Sequence, residues 1–277
     1  MTAHSGSPIP YRELHPPAES LFSRFVGDLS ERLDDPACDR REVCRDAIAE
    51  LYGVRYDAAR LEDESVPVGI RAQWASFDPR NITLEPEYYG DIDAERYGRV
   101  KPLIWLWIMF DRSPLGLNAS LGIPLRRALA ERIFLRCGRN AKFWQFVEFT
   151  YGYNLVVGDD VVVHRYAFLD DRGGIELGNR VSISDYVNVY SHTHDINDIR
   201  TVNLRKTVIA DHARITYHAT ILAGAHVGKD GMVGAMALAT REAPGMQVSV
   251  GIPARPVRSK DRPCPYCEEE RARRQGS

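Results

Sequence analysis

Two histidines and several carboxylates share one short stretch, VYSHTHDINDIR, which contains His192, His194, Asp195 and Asp198. Imidazole changes charge near neutral pH, so a histidine here suits removal of a proton from an alcohol. His192 and His194 stand two apart, and on an extended strand they would share a face. As bare residues they read equally well as solvated loop histidines. Upstream, FLDDRGGIELG sets Asp170 and Asp171 before Arg-Gly-Gly. By itself this is turn chemistry: short carboxylates bond nearby backbone and the glycines accept unusual φ. Near the C-terminus Arg241, Arg255 and Arg258 supply cations. No Cys or Ser stands with an evident base partner, so a covalent intermediate on the protein is not favoured.

The elements that must hold these residues follow from a period of six. Aliphatic residues recur at Val157, Val163, Leu169, Ile175, Val181 and Val187, and again at Ile209, Ile215, Ile221, Val227 and Val233. Four positions after many of them the side chain is small, as at Ala167, Gly173, Ser191, Ala213, Ala219, Ala225, Gly231 and Ala237. Six is neither the helical nor the strand period, so the pattern predicts a solenoid. Each hexad is a short strand plus a bend, with the aliphatic side chain stacked inward on its equivalent in the next coil. The period breaks between Val187 and Ile209. A loop must leave the coil there, and that loop carries His192 and His194. Loops on a rigid scaffold are where catalytic groups concentrate.

The segment ITYHATILAGAHVGKDGMVGAMALATREAPGMQVSVGIPARPVR resembles the end of the hexapeptide-repeat acyltransferases, in particular the galactoside and maltose O-acetyltransferases. The resemblance runs from about Phe149 to Arg258. It implies a left-handed parallel β-helix, a homotrimer, and acetyl-CoA bound between subunits as co-substrate. Laid on the family's motif without a gap, VSISDYVNVYSHTHD puts His194 at the catalytic base, with His192 two residues before it. The acidic turn of the family, close to the acceptor, matches Asp170 and Asp171, with Asp171 fitting better. The resemblance assigns backbone contacts to the pantetheine arm to Tyr217 and Ala235. It assigns the nucleotide end of coenzyme A to Thr240, Arg241, Arg255 and Arg258. Two positions depart from the family. His164 or a neighbour stands where an asparagine faces the reacting carbonyl, and Arg214 stands where an aromatic is common. The implied reaction is direct transfer of acetyl from acetyl-CoA to a hydroxyl of a sugar or related polyol. N-acetylation of an amino sugar, or a non-catalytic trimeric scaffold, are the alternatives.

The remainder of the 277 residues sets bounds. A net charge of −2 gives no basic field for nucleic acid. No signal pattern opens the chain, and the apolar run Leu103 to Phe110 is too short to span a bilayer, so a cytoplasmic protein is expected. Five cysteines form no disulfide framework; Cys264 and Cys267 make a CxxC pair without the further ligands that zinc needs, so no metal is expected. Helices are expected at about 19–33 and 39–52. Tyr88, Tyr89 and Tyr97 either line an acceptor site or pack an interface. PLRRALAERIFLRCGR reads as a basic amphipathic helix that caps the solenoid or, less favourably, lies on anionic lipid. The organisation expected is a mainly helical region at 1–140, the β-helix at 141–258 and a charged tail at 259–277.

Overall fold

The computed structural model describes residues 14–262, so Cys264 and Cys267 lie outside the described residues. Five α-helices come first: α1 Pro16–Asp34, α2 Arg40–Leu51, α3 Val68–Phe77, α4 Ala94–Arg112 and α5 Ala119–Ile133. Side chains of Asp39, Asp93 and Asn118 cap α2, α4 and α5 by accepting a backbone N–H of the first turn. The apolar run Leu103 to Phe110 is the second half of α4. It has no clear amphipathic stripe because it is buried on most sides: Leu103, Leu106, Trp107 and Phe110 are all at most 2% exposed. No helix among the described residues is long and apolar enough to cross a membrane.

A parallel β-solenoid of about six coils follows. Its first face stacks Arg136–Cys137, Leu155–Val157, Ile175–Leu177, Thr207–Ile209, His226–Val227 and Glu242–Ala243. The second stacks Lys142–Phe143, Val162–Val163, Ser182–Ile183, Arg214–Ile215, Met232–Val233 and Gln247–Val250. The third stacks Glu148–Phe149, Phe168–Asp170, Asn188–Tyr190, Thr220–Ile221 and Leu238–Ala239. An antiparallel strand, Arg255–Ser259, closes the last coil on the second face.

The coils begin at Arg136, ahead of the aliphatic pattern. The inward residues of the first coil are Cys137, Phe143 and Phe149, which keep the period of six without being aliphatic. A second departure is a shift of two residues. Val157 pairs with Leu177 and Val163 with Ile183, so the stacked positions of the third coil are Leu177, Ile183 and Val189 rather than Ile175, Val181 and Val187. The bends at 150–154 and 170–174 each hold extra residues. Strands have a period of two, so residues two before the stacked positions also point inward, and Val181 and Val187 are buried all the same.

Most of the bends use a residue in the left-handed region. Asn140, Phe146, Asp160, Tyr166, Arg180, Tyr186, His212, His218, Asp230, Met236 and Met246 all have φ between 55° and 61°. Non-glycine residues rarely adopt this conformation, and here the stacked neighbours hold it. The aromatic members stack face to face along one edge: Phe146 on Tyr166 at 5.0 Å, Tyr166 on Tyr186 at 4.8 Å, and Tyr186 on His218 at 4.8 Å between ring centroids. At another edge Gly138, Gly158 and Gly178 allow the coils to approach. A Cβ on Gly158 would sit 2.7 Å from the Gly178 carbonyl carbon. Gly158→Ala is therefore expected to lower stability by roughly 1–3 kcal/mol, the usual cost of overpacking, as read from urea denaturation.

The helices cap the first coil and share its core. Trp107 of α4 meets Phe143 and Phe149 edge-on at 5.8 and 5.3 Å, and Phe134 joins the same cluster. The Trp107 indole N–H donates to the Val147 carbonyl at 3.1 Å. The arginines of the basic segment are largely committed. Arg126 is 1% exposed and paired with Asp111, Arg132 pairs with Asp34, and Arg139 pairs with Asp159. This arrangement is that of a cap, and it leaves little free positive charge for a lipid surface.

Candidate active site

The break in the period is an antiparallel hairpin. His192–His194 pairs with Val202–Leu204, with His192 opposite Leu204 and His194 opposite Val202. It leaves the solenoid after the third coil, and its base is pinned by buried polar groups. The Ser191 hydroxyl donates to the Asp170 carbonyl at 2.5 Å and accepts from Gly173 N–H at 2.8 Å. Thr207 donates to the Tyr190 carbonyl at 2.6 Å. A side chain at Gly173 would strike the Ser191 carbonyl at 2.2 Å, which is why the DDRGG turn needs glycine there.

Both histidines are oriented through Nδ1. His194 Nδ1 lies 2.6 Å from the Ile199 carbonyl across the hairpin. A carbonyl only accepts, so Nδ1 carries the proton and Nε2 is left as the basic nitrogen. His192 Nδ1 pairs with the Asp170 carboxylate, and the same logic leaves its Nε2 basic. The two rings stand edge to face, 5.4 Å between centroids. His194 is exposed and His192 half-buried.

The two aspartates of the turn have different roles. Asp170 is 1% exposed; besides His192 it accepts from the Thr150 hydroxyl at 3.0 Å. Asp171 is fully buried and faces the bend of the preceding coil. It accepts from the backbone N–H groups of Tyr151 at 2.7 Å and Asn154 at 3.1 Å. Burial pushes its pKa up to about 6 against the pull of these donors. The structure thus brings Asp170 to His192 and sets Asp171 against the backbone of the preceding coil. Arg172 completes the turn. It pairs with Asp91 and lies 4.4 Å over the Tyr89 ring, tying the segment before α4 to the site. Burial opposes the charge on Asp91, but the guanidinium outweighs it and holds the carboxyl below its ordinary value. Sequence reasoning missed Arg172, Asp91 and Thr150. The only signal was a cation inside an acidic turn, and its partner lies 81 residues away.

His164 stacks on Trp144, with centroids 6.0 Å apart and planes 6° apart, and burial pushes its pKa down, favouring the neutral imidazole. Arg214 is exposed on the second face between Ser182 and Met232. Tyr217 and Ala235 occupy equivalent bend positions of adjacent coils, and the Tyr217 carbonyl accepts from Met236 N–H at 3.0 Å. Thr240 and Arg241 follow the strand Leu238–Ala239. Ala254 N–H donates to the Leu238 carbonyl at 2.8 Å, which places Arg255 beside that strand. Arg258 stands opposite Val248 in the closing strand. The coenzyme candidates from Tyr217 to Arg258 belong to the last three coils, whereas the hairpin leaves between the third and fourth. No group of three or more His, Cys, Asp or Glu suited to a metal occurs among the described residues.

No protein-family model matches the chain. Over 144 residues it is 26% identical to the galactoside O-acetyltransferase of Escherichia coli K12, covering 49% of this chain and 69% of that protein. A maltose O-acetyltransferase of Clostridium difficile 630 has the same fold over 63% of this chain and 92% of its own, with a TM-score of 0.55 and 22% identity. A hexapeptide-repeat acetyltransferase of Vibrio cholerae, solved with acetyl coenzyme A, aligns over 67% of this chain and all of its own, with a TM-score of 0.53 and 21% identity. The six-residue period and the stacked three-faced solenoid agree with these comparisons: the chain has the fold of these acetyltransferases and is similar in sequence to a galactoside O-acetyltransferase.

Proposed function

We propose that the protein transfers acetyl from acetyl-CoA to a hydroxyl of a sugar or related polyol, with His194 as general base. The observation that carries this reading is the His194–Ile199 contact, which holds the imidazole by Nδ1 and leaves Nε2 as the basic nitrogen of an exposed side chain on the hairpin. His194 takes the hydroxyl proton as the oxygen attacks the thioester carbonyl; the carbon–sulfur bond breaks and coenzyme A leaves as the thiol. Asp170 and His192 border the acceptor, and Asp171 holds the turn beneath them. The related E. coli protein is named for a galactoside acceptor, which supports a sugar-like one here. The test is thiol release from acetyl-CoA against a panel of sugars and nucleotide sugars. Release that needs no acceptor hydroxyl, or no release with any acceptor, removes the proposal.

A specific observation favours a second base. His192 is the histidine that has a buried carboxylate behind it, as a catalytic dyad does. The two assignments separate by mutation, as argued below.

The proposed coenzyme site uses Tyr217 and Ala235 for the pantetheine arm and Thr240, Arg241, Arg255 and Arg258 for the phosphates. Arg255→Ala and Arg258→Ala are expected to raise KM for acetyl-CoA more than they lower kcat, because those groups touch a part of the substrate that does not change in the transition state. An unchanged KM in both variants takes the pair out of the site. The residues assigned to the coenzyme lie on the last three coils and the histidines on the hairpin that leaves after the third, and the site is proposed to be completed by a neighbouring subunit of a homotrimer. Sedimentation that gives a monomer at micromolar concentration contradicts that assembly.

A further inference from the structure

The turn behind the histidines carries more negative charge than it neutralises by itself. Asp170, Asp171 and Arg172 are all buried, and Arg172 is the one cation among the three. A buried guanidinium beside two buried carboxylates has every reason to pair with one of them, because a buried charge without a partner is costly. Here its hydrogen bonds go elsewhere. Arg172 Nε donates to Asp91 Oδ2 at 3.0 Å, and a terminal guanidinium nitrogen donates to Asp91 Oδ1, so the fork closes on that one carboxylate. The Asp170 carboxylate is left to the Thr150 hydroxyl and to His192 Nδ1. Arg172 still feels both acids. Burial opposes its charge, but Asp91 and, more weakly, Asp170 outweigh that and raise its pKa.

Asp91 reaches the turn from the helical region, and its neighbours anchor it without help from Arg172. Asp93 N–H donates to the Tyr153 hydroxyl at 3.0 Å. Arg96 donates to the Tyr153 carbonyl at 2.6 Å and lies 4.3 Å over the Tyr153 ring. The turn is anchored as well. Asn154 Nδ2 donates to the Arg172 carbonyl at 3.2 Å, Ser191 holds Gly173 N–H, and Asp171 holds the backbone of the preceding coil. Both backbones are thus fixed, and the long Arg172 side chain is the part that can exchange one carboxylate for another.

We propose that Asp91 is a positioning residue of the site: it keeps the Arg172 guanidinium off Asp170 and so leaves the Asp170 carboxylate to His192. Without the charge on Asp91, the guanidinium has Asp170 as the alternative acceptor within its own turn. A two-armed arginine–carboxylate pair is stronger than the bond from a neutral imidazole, so His192 loses the group that orients it. The helical region ahead of the solenoid acts on the chemistry in this way without touching substrate. The kinetic consequence rests on the acetyl-transfer reading, whereas the competition for Asp170 stands on the charges alone.

The experiment compares Asp91→Asn, Arg172→Met and the double variant with the wild-type chain. One readout is the proton NMR signal of the His192 ring Nδ1–H, assigned by its loss in His192→Ala and shifted downfield by a carboxylate partner. The other is kcat/KM for the acceptor that gives most thiol release. Asp91→Asn is expected to remove the downfield signal and to lower kcat/KM for the acceptor by about tenfold, with KM for acetyl-CoA unchanged. Asp91→Ala, which offers the guanidinium no acceptor, is expected to do the same. Arg172→Met is expected to keep the signal and to lose less activity than Asp91→Asn, because the competing cation is gone. The double variant should resemble Arg172→Met, so that removing the arginine rescues the Asp91 variant. A merely structural ion pair gives the opposite order: melting temperature and activity fall together in all the variants, the signal survives in Asp91→Asn, and the double shows no rescue. That result overturns the proposal and leaves the transferase reading standing. A signal that follows the expected order, in a protein that transfers acetyl to no acceptor, upholds the role of Asp91 and overturns the transferase reading.

Discussion

His194→Ala is expected to lower kcat by roughly 10²–10⁴-fold, the usual worth of a positioned general base. KM for acetyl-CoA should change little, because the residues proposed for the coenzyme lie on the last three coils and His194 on an exposed hairpin. Stability should also hold, since His194 bonds only the Ile199 carbonyl within its own hairpin. His192→Ala is expected to cost far less, as it removes a neighbour of the base and leaves the hairpin tip intact. The measurement is steady-state kinetics on both variants, with melting temperatures to confirm folding. A crippled His192→Ala beside a near-normal His194→Ala moves the base to the histidine backed by Asp170. Two active variants place the base elsewhere and end the mechanism.

The largest stability effect is expected at the joint between helices and solenoid. Arg126 Nε donates to Asp111 Oδ1 at 2.7 Å, Arg126 also reaches the Gly116 carbonyl, and Asp111 Oδ2 accepts from Phe146 N–H at 2.7 Å. Burial raises the Asp111 pKa despite the guanidinium, and lowers that of Arg126. Such a pair gains little over a well-packed apolar replacement, yet removing one partner strands the other. Arg126→Met should therefore cost about 3–5 kcal/mol at neutral pH. The sign of its pH dependence follows. Asp111 in the folded variant keeps a raised pKa, so below that value the folded state holds a proton that the unfolded chain has released above about pH 4. The deficit should shrink as pH falls through that window. Adding Asp111→Asn should recover part of the loss, because the amide oxygen can still accept from Phe146 N–H. Urea denaturation of the two single variants and the double closes the cycle; additive losses would show that the residues act independently.

The period of six was legible because core side chains on a stacked coil must repeat at the coil's own spacing. The position of the histidine loop was legible for the same reason, as the place where that spacing fails. The first coil was not, because Phe143 and Phe149 fill it with rings that answer the aromatic side chains of α4 and Phe134. The extra residues at 150–154 and 170–174 were invisible because strand alternation keeps Val181 and Val187 buried in either register. The roles of Asp170 and Asp171 could not be separated along the chain. They differ by which coil each carboxylate faces, His192 on the next coil or the Tyr151–Asn154 backbone on the previous one. Helix α4 carries no legible stripe, since a helix covered on most sides has no polar face to reveal its period.

The hairpin that carries both histidines has a low cost in chain-closure entropy. Leu177 meets Ile209 across 32 residues, whereas Val157 meets Leu177 across 20. Closure entropy grows only with the logarithm of length, so the longer circuit adds about 0.4 kcal/mol. Beyond Asp195 the tip bonds mainly to itself, and Ile196 is 96% exposed. Residues can therefore be added or removed there while the coils on either side keep their stacking, which makes this bend a point where the same solenoid can acquire a different reach toward its substrate.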